Sequence, residues 1–104
     1  MATSVEFIES VCEKISPRWE IRYKKMFGEY MVYVNDKPIF TVCDNTVYAK
    51  RLFALSEVLS TAKTGSPYLG AKEHYIVDDG DAALINRVVE ILEPITPLPK
   101  KRGK

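Results

Sequence analysis

Apolar positions near the N-terminus recur at the spacing of an amphipathic helix. The Thr-Ser-Val-Glu sequence at residues 3–6 is typical of a capping box, in which a hydroxyl accepts an amide proton and Glu6 bonds back to the cap. Pro17 ends the pattern, because the residue before a proline avoids the helical region. We therefore predict a first helix over residues 4–16. Its buried stripe contains Phe7, Ile8, Val11, Cys12 and Ile15.

From residue 20 the apolar period changes to two, which is typical of strands. Short connections that contain Gly, Asn and Asp favour an antiparallel meander. The second strand carries large apolar side chains on both faces. We expect one face to pack on helices and the other to be partly covered or to contact a partner. The predicted strands are residues 20–26, 29–35, 39–43 and 46–50.

The second half of the chain alternates between helix and strand patterns. Leucines at 52, 55 and 59 predict a short second helix, and residues 61–70 predict a loop. A fifth strand is predicted at residues 73–77. Asp81 is the expected N-cap of a third helix that ends before Pro94. The stripe of that helix is Leu84, Ile85, Val88, Ile91 and Leu92.

This order of elements, α-β-β-β-β-α-β-α, predicts an α+β fold with two layers. In it, a single antiparallel five-stranded sheet carries the helices on one face. The length of 104 residues suits one domain, which we assign to residues 1–94. Residues 95–104 form a tail rich in Pro and Lys, and we expect the tail to be disordered.

The charge of the chain bears on one question, which is whether the predicted domain binds nucleic acid. There are 15 basic and 14 acidic side chains, but four of the basic ones lie at positions 100, 101, 102 and 104. The predicted domain therefore carries 11 basic and 14 acidic groups. A domain that binds nucleic acid broadly normally has an excess of positive charge on its folded surface, so this balance disfavours such binding.

Two cysteines and one histidine are too few to make a four-ligand zinc site from Cys and His alone. We expect Cys12 and Cys43 to be reduced core residues, and we expect no metal and no cofactor. The chain shows no secretory signal and no run of about 20 apolar residues that could span a membrane. A cytoplasmic location is the expectation.

The segment Met-Phe-Gly-Glu-Tyr at residues 26–30, continued by Val-Tyr-Val at 32–34, resembles the N-terminal domain of the TfoX/Sxy family. Members of this family are bacterial regulators linked to natural competence. The Val-Tyr-Ala-Lys strand at residues 47–50 is similar to a family strand, while Glu29 and Met31 replace family glycines. The resemblance extends over about residues 5–92. It implies a layered arrangement like that of secretion chaperones and a regulatory, non-enzymatic role, including a role in transcription.

We predict that the protein acts as an interaction module that presents a sheet face or edge to a protein partner. The identity of this partner is open, and a homodimer through the same surface is one option. Large amphipathic side chains supply much contact area at low entropic cost. The candidate contacts are Tyr30, Met31, Tyr33 and Tyr48.

An alternative hypothesis is a nucleic-acid-binding accessory protein that uses a basic strand and the basic tail. The aromatic strand is superficially similar to that of an RNA-recognition motif, but the order of elements differs. The candidate contacts are Arg18, Arg22, Lys24, Lys25, Lys100, Lys101 and Arg102.

No sequence motif indicates catalysis, so we expect that the protein is not an enzyme and name no catalytic residue. The Gly-Ser-Pro sequence at residues 65–67 lacks the spacing of a nucleophile elbow. The Asp-rich sequence at 78–81 lacks the acid spacing of a calcium loop and favours a turn with a helix cap. His74 has no neighbouring acid and nucleophile in sequence.

Overall fold

The computed structural model describes residues 3–26, 29–67 and 70–98. The fold is α+β, with one antiparallel sheet of six strands and two α-helices. Two single 3₁₀ turns lie at Phe53–Leu55 and Glu93–Ile95. The regular elements are α1 (Val5–Lys14), β1 (Ile21–Met26), β2 (Glu29–Val34), β3 (Lys37–Cys43), β4 (Thr46–Lys50), β5 (Thr64–Gly65), β6 (His74–Val77) and α2 (Ala82–Leu92).

The strands lie in the order β1-β2-β3-β4-β6-β5, and every neighbouring pair is antiparallel. The predicted meander of four strands is confirmed. Its two tight turns, Asn35-Asp36 and Asp44-Asn45, hold both central residues at positive φ, between 52° and 67°. This conformation matches the twist of a hairpin, and Asn and Asp tolerate it better than other non-glycine residues.

One face of the sheet carries the core. Along β2, positions 30, 32 and 34 are buried while the intervening positions are only half-buried, which is the alternation of a strand with one packed face. Both helices pack against this face and close the core. Their buried side chains are Ile8 and Val11 of α1 and Ile85, Val88, Val89 and Leu92 of α2.

The predicted capping box at the start of α1 is wrong by one residue. Ser4 is the N-cap, and its Oγ accepts a hydrogen bond from the Phe7 amide at 3.1 Å. The Thr3 hydroxyl instead accepts from the amide of Asn45 at 3.2 Å. Glu6 therefore lies at the second helical position, one residue short of the position that reaches back in a box. The helix start is fixed by the β3–β4 turn.

Two further expectations are corrected. The sheet has six strands rather than five, because the two-residue β5 forms within the segment predicted as a loop. Residues 52–59 form the 3₁₀ turn Phe53–Leu55 followed by turns, although Leu55 and Leu59 are buried as a helix would bury them. Of the predicted tail, residues 99–104 lie outside the described residues.

Glu93 joins the end of α2 to the β2–β3 turn. Lys37 Nζ donates to its backbone oxygen at 2.9 Å and to its Oε2 at 3.1 Å, and Asn35 Nδ2 donates to the same Oε2 at 3.2 Å. The two side chains of the ion pair are each only 21% exposed. The hydrogen bonds from Asn35 and Lys37 hold the pKa of the Glu93 carboxyl below its ordinary value.

Replacing Glu93 by glutamine is expected to weaken the dependence of stability on acid pH. A carboxyl whose pKa is lowered by folding contributes stability that is present above its unfolded pKa of about 4.3 and is lost as pH falls through the lower folded value. Urea midpoints at pH 6 and pH 3 measure this effect. The wild type should be more stable than Glu93→Gln at pH 6, and the difference should shrink at pH 3. An equal response in a Glu57→Gln control, at an exposed position, would contradict the assignment.

Candidate interaction surface on the open sheet face

The sheet face opposite the helices, which we call the open face, carries an apolar stripe across its centre. Within the stripe, Met31 pairs with Thr41, Thr41 with Tyr48 and Tyr48 with Ile76 in the strand ladders. All four side chains are half-buried. Because side chains alternate along strands, these residues lie side by side on β2, β3, β4 and β6. The stripe therefore runs perpendicular to the strands.

Contacts along the sheet fix the side chains of the stripe. Thr41 Oγ1 lies 4.0 Å from the sulfur of Met31. At Gly65 of β5, an added Cβ would lie 3.4 Å from Ile76 Cδ1 and 3.6 Å from Tyr48 Cε1. The glycine therefore leaves space at the edge of the sheet for these two side chains. The result is a laterally packed apolar surface.

One end of the open face, which we call the basic end, is rich in cations. Lys50 pairs with His74 across β4 and β6, and the ring of His74 packs edge-to-face on Tyr48, 6.5 Å between centroids. The His74 Nδ1 lies 2.7 Å from the carbonyl oxygen of Lys72. Arg51 forms an ion pair with Glu73 at 2.9 Å. These residues line an open pocket of about 620 Å³: Lys50, Arg51, Leu52, Lys72, Glu73 and His74.

The other end of the open face, the acidic end, lies around Cys43. Burial raises the pKa of the Cys43 thiol, and the negative charges of Glu29 and Asp44 raise it further. Partial burial also raises the pKa of the Glu29 carboxyl. A thiol with a raised pKa carries little thiolate at neutral pH, so Cys43 is unsuited to act as a nucleophile. The thiol of Cys12 on α1 is unsuited for the same reason. Burial and the negative charge of Glu9 raise its pKa to about 11.

The structure places three of the four predicted partner contacts together. Met31 and Tyr48 lie in the apolar stripe, and Tyr33 lies beside them, paired with Pro38 on the way to the basic end. Tyr30 does not belong to this surface. Its side chain is 5% exposed on the helix-facing side, where its ring meets that of Tyr23 edge-to-face at 5.5 Å. Alternation along β2 places positions 30 and 31 on opposite faces, so the prediction of both as contacts of one partner is wrong.

The fold separates the basic residues that were predicted to contact nucleic acid. Arg18 pairs with Glu90 at 2.7 Å and lies over the ring of Trp19, 4.2 Å from its centroid. Arg22 pairs with Asp36 at 2.6 Å. Two further predicted contacts, the lysines at positions 24 and 25, are consecutive in β1 and therefore face opposite sides of the sheet. The predicted contacts Lys100, Lys101 and Arg102 lie outside the described residues.

Sequence reasoning missed the contribution of β6 to the open face. Ile76 completes the apolar stripe, and His74 and Lys72 complete the basic end. The alternation of residues 74–77 indicates which of them share a face. No local pattern indicates that β6 pairs with β4, and this pairing is what brings Lys50 to His74.

Two classes of site are not found in the described residues. In that part of the chain, no group of three His, Cys, Asp or Glu side chains is placed to hold a metal ion. Neither described helix is long and apolar enough to cross a membrane.

These features define a small α+β protein in which one antiparallel sheet packs two helices on one face and leaves an apolar stripe on the other. The chain is 33% identical over 104 residues to a Spirochaeta aurantia protein named "Uncharacterized 12.7 kDa protein in trpE 5'region". The match covers 98% of this chain and 90% of that protein, and the chain belongs to the same family. No family profile matches the sequence, and no solved structure matches it.

Proposed function

We propose that the protein is a small, non-enzymatic regulatory module that binds a protein partner through the open face. The observation that carries this proposal is the contrast between the two faces of the sheet. Both described helices cover one face, whereas no described element covers the stripe of Met31, Thr41, Tyr48 and Ile76. Aromatic residues and Met are enriched in the centres of protein interfaces, where they supply apolar area.

The regulatory part of the proposal rests on the resemblance of residues 26–34 to the N-terminal domain of the TfoX/Sxy family. A role in transcriptional regulation or competence, and a likeness to secretion chaperones, follow from that resemblance. The absence of catalysis is also proposed, and the chemistry of the described side chains supports it. The thiols of Cys12 and Cys43 both have raised pKa values, which leaves little thiolate to act as a nucleophile.

Nucleic-acid binding has less support than protein binding. The open face does carry lysines at its basic end, but Glu29 and Asp44 occupy its acidic end. A polyanion laid across the whole face would meet both signs of charge. The described residues together contain 11 basic and 14 acidic side chains. Affinity for nucleic acids comes mainly from counterions that are released when basic side chains contact phosphates, and an excess of acidic groups does not favour such contacts.

The open face is tested by the variant Met31→Glu. The new carboxylate lies directly across the β1–β2 ladder from Lys24, so the monomer keeps a favourable cross-strand pair while the stripe gains a charge. Affinity capture from lysate of the source organism is the measurement. We expect proteins captured by the wild type to be lost with Met31→Glu, because binding must strip water from the new carboxylate and from Lys24, which costs at least about 2 kcal/mol, or roughly 30-fold in affinity.

The matched control for this experiment is Phe53→Lys. Phe53 is 92% exposed in the 3₁₀ turn after β4, so this variant also introduces a charge at an exposed apolar side chain but leaves the open face intact. Capture should be unchanged with Phe53→Lys. Equal capture by the wild type and Met31→Glu would reject the open face as the binding site. Binding of 20-nucleotide DNA or RNA that weakens steeply between 50 and 200 mM salt would favour the nucleic-acid hypothesis instead.

A further inference from the structure

We propose that the open face binds a second copy of this chain, in a face-to-face dimer whose two-fold axis runs along the apolar stripe, across the strands. This proposal rests on the proposed function, because it names the partner of the same face. A two-fold interface brings the same patch of both subunits together, so the patch must be complementary to itself.

The charges at the two ends of the open face are complementary to themselves in only one orientation. Lys50 and Lys72 lie at one end of the strands, and Glu29 lies at the other. The stripe lies between the two ends. A two-fold axis along the stripe turns the second copy end for end, so the acidic end of each copy faces the basic end of the other.

The alternative two-fold axis, parallel to the strands, is disfavoured by the same charges. It would place the basic end of one copy against the basic end of the other, and the two acidic ends against each other. Like charges that face one another across an interface disfavour association. The charges of the two ends therefore select the first orientation over the second, although the first also brings the two Lys24 side chains, which lie beside Met31 in β1, near each other.

The apolar stripe supplies the contact area of this dimer. With the axis along the stripe, Met31, Tyr48 and Ile76 of one copy face the same stripe of the other. Sheets that pack face to face lie about 10 Å apart with their strands inclined by about 30°. Half-buried side chains such as these interdigitate at that spacing.

The size of the open face indicates how tight the dimer is. Six strands at about 4.8 Å spacing, each contributing about five residues, make a face of about 29 by 17 Å. Two such faces bury about 1,000 Å² in total, which is at the low end for specific complexes. We therefore expect a dimer whose dissociation constant lies in the micromolar range, with mass that depends on concentration.

The dimer also explains the distribution of charge better than a nucleic-acid partner does. Nucleic acid would be bound by positive charge along the whole face. A second copy instead needs opposite charges at opposite ends, and this is the observed arrangement. The acidic residue Glu29 is thus part of the recognition rather than an obstacle to it.

Sedimentation velocity of the wild type between about 5 and 500 µM tests self-association. We expect a shift from monomer to dimer over this range. Met31→Glu should raise the dissociation constant by at least about 30-fold, and Phe53→Lys should leave it unchanged. Thermal melts of each variant establish that the monomer remains folded. Dimerisation that persists in Met31→Glu but is lost in Phe53→Lys would overturn the choice of face.

Charge reversal tests the orientation. In the proposed dimer, Glu29→Lys makes both ends of each copy positive, and Lys50→Glu makes both ends negative. Each variant alone should dimerise roughly ten-fold more weakly, since two contacts per dimer change sign. A mixture of the two variants should restore dimerisation, as a heterodimer.

The double variant Glu29→Lys/Lys50→Glu should dimerise with itself as the wild type does. It should not form mixed dimers with tagged wild-type protein, because like ends would then meet. With an axis parallel to the strands, neither single variant would weaken the dimer and the double variant would mix freely with the wild type. Those results would overturn the proposed orientation.

Failure of the dimer can be separated from failure of the proposed function. A wild type that remains monomeric at 500 µM would reject self-association. The open face would then still be the site for a different protein if Met31→Glu, and not Phe53→Lys, loses captured partners. Partner capture unaffected by Met31→Glu would instead reject the proposed function.

Discussion

Replacing Phe40 by alanine is expected to lower the free energy of unfolding by about 3–5 kcal/mol. Phe40 has no exposed surface and is the largest of the fully buried side chains. It lies in β3, directly opposite Val32 of β2, and both belong to the cluster that the helices close. The truncation removes contacts with both layers and leaves a cavity that rigid strands cannot fill. Urea denaturation at neutral pH measures the change.

A chemically identical substitution at Phe53 is the control. Its ring is 92% exposed, so Phe53→Ala removes the same atoms with little loss of packing and should change stability by no more than about 0.5 kcal/mol. Phe40→Leu keeps most of the volume and is expected to cost less than about 1.5 kcal/mol. Similar losses for the two alanine variants would show that β3 does not form the centre of the core.

The elements with a long and regular apolar pattern could be predicted from sequence. In α2, the cap at Asp81 and the last turn at Leu92 both fall where the pattern places them. β4 matches its predicted bounds, because a two-residue turn precedes it and fixes where the strand begins. Local physics decides these elements: a capping side chain, a turn that tolerates positive φ and an apolar stripe.

The elements that depend on distant pairing could not be predicted. β5 has two residues and includes a glycine, so it has no period of its own and is a strand only through its bonds to β6. Ile39 is another case. The register of β2 and β3 shifts between Val32 and Tyr33, so Ile39 and Phe40 are both buried although they are consecutive. Such a bulge interrupts the alternation on which strand prediction rests.

The sequence analysis names residues at the centre of the candidate surface but none at its ends. It names Met31, Tyr33 and Tyr48 because they are large residues in predicted strands. Tyr30 was included for the same reason, although the period of two places it on the opposite face, where it is buried. The charged ends are assembled from residues far apart in sequence, such as Lys50 and His74. Their positions follow from sheet order, which the sequence pattern does not determine.

Replacing Asn86 by alanine is the second change for which we expect a large effect, about 2–3 kcal/mol. The Asn86 side chain joins the two helices. Its Oδ1 accepts from the amide of Ser16 at 2.7 Å, and its Nδ2 donates to the carbonyl of Lys14 at 2.7 Å and to that of Ala82 at 2.8 Å. Alanine would leave the Ser16 amide and the Lys14 carbonyl, at the end of α1, without these hydrogen bonds. Leaving a partly buried polar group unsatisfied costs more free energy than the net contribution of its hydrogen bond.

The adjacent variant Arg87→Ala separates this effect from a general loss of helix stability. Arg87 lies on the exposed side of α2 and pairs with Glu90 at 3.2 Å, a surface ion pair of about 0–1 kcal/mol. Alanine has higher helix propensity than asparagine, so any effect of propensity at position 86 would stabilise the variant. A clear loss in Asn86→Ala, with little change in Arg87→Ala, therefore measures the link between the helices. Equal urea midpoints for both variants would mean that α1 is held to the sheet by its apolar stripe alone.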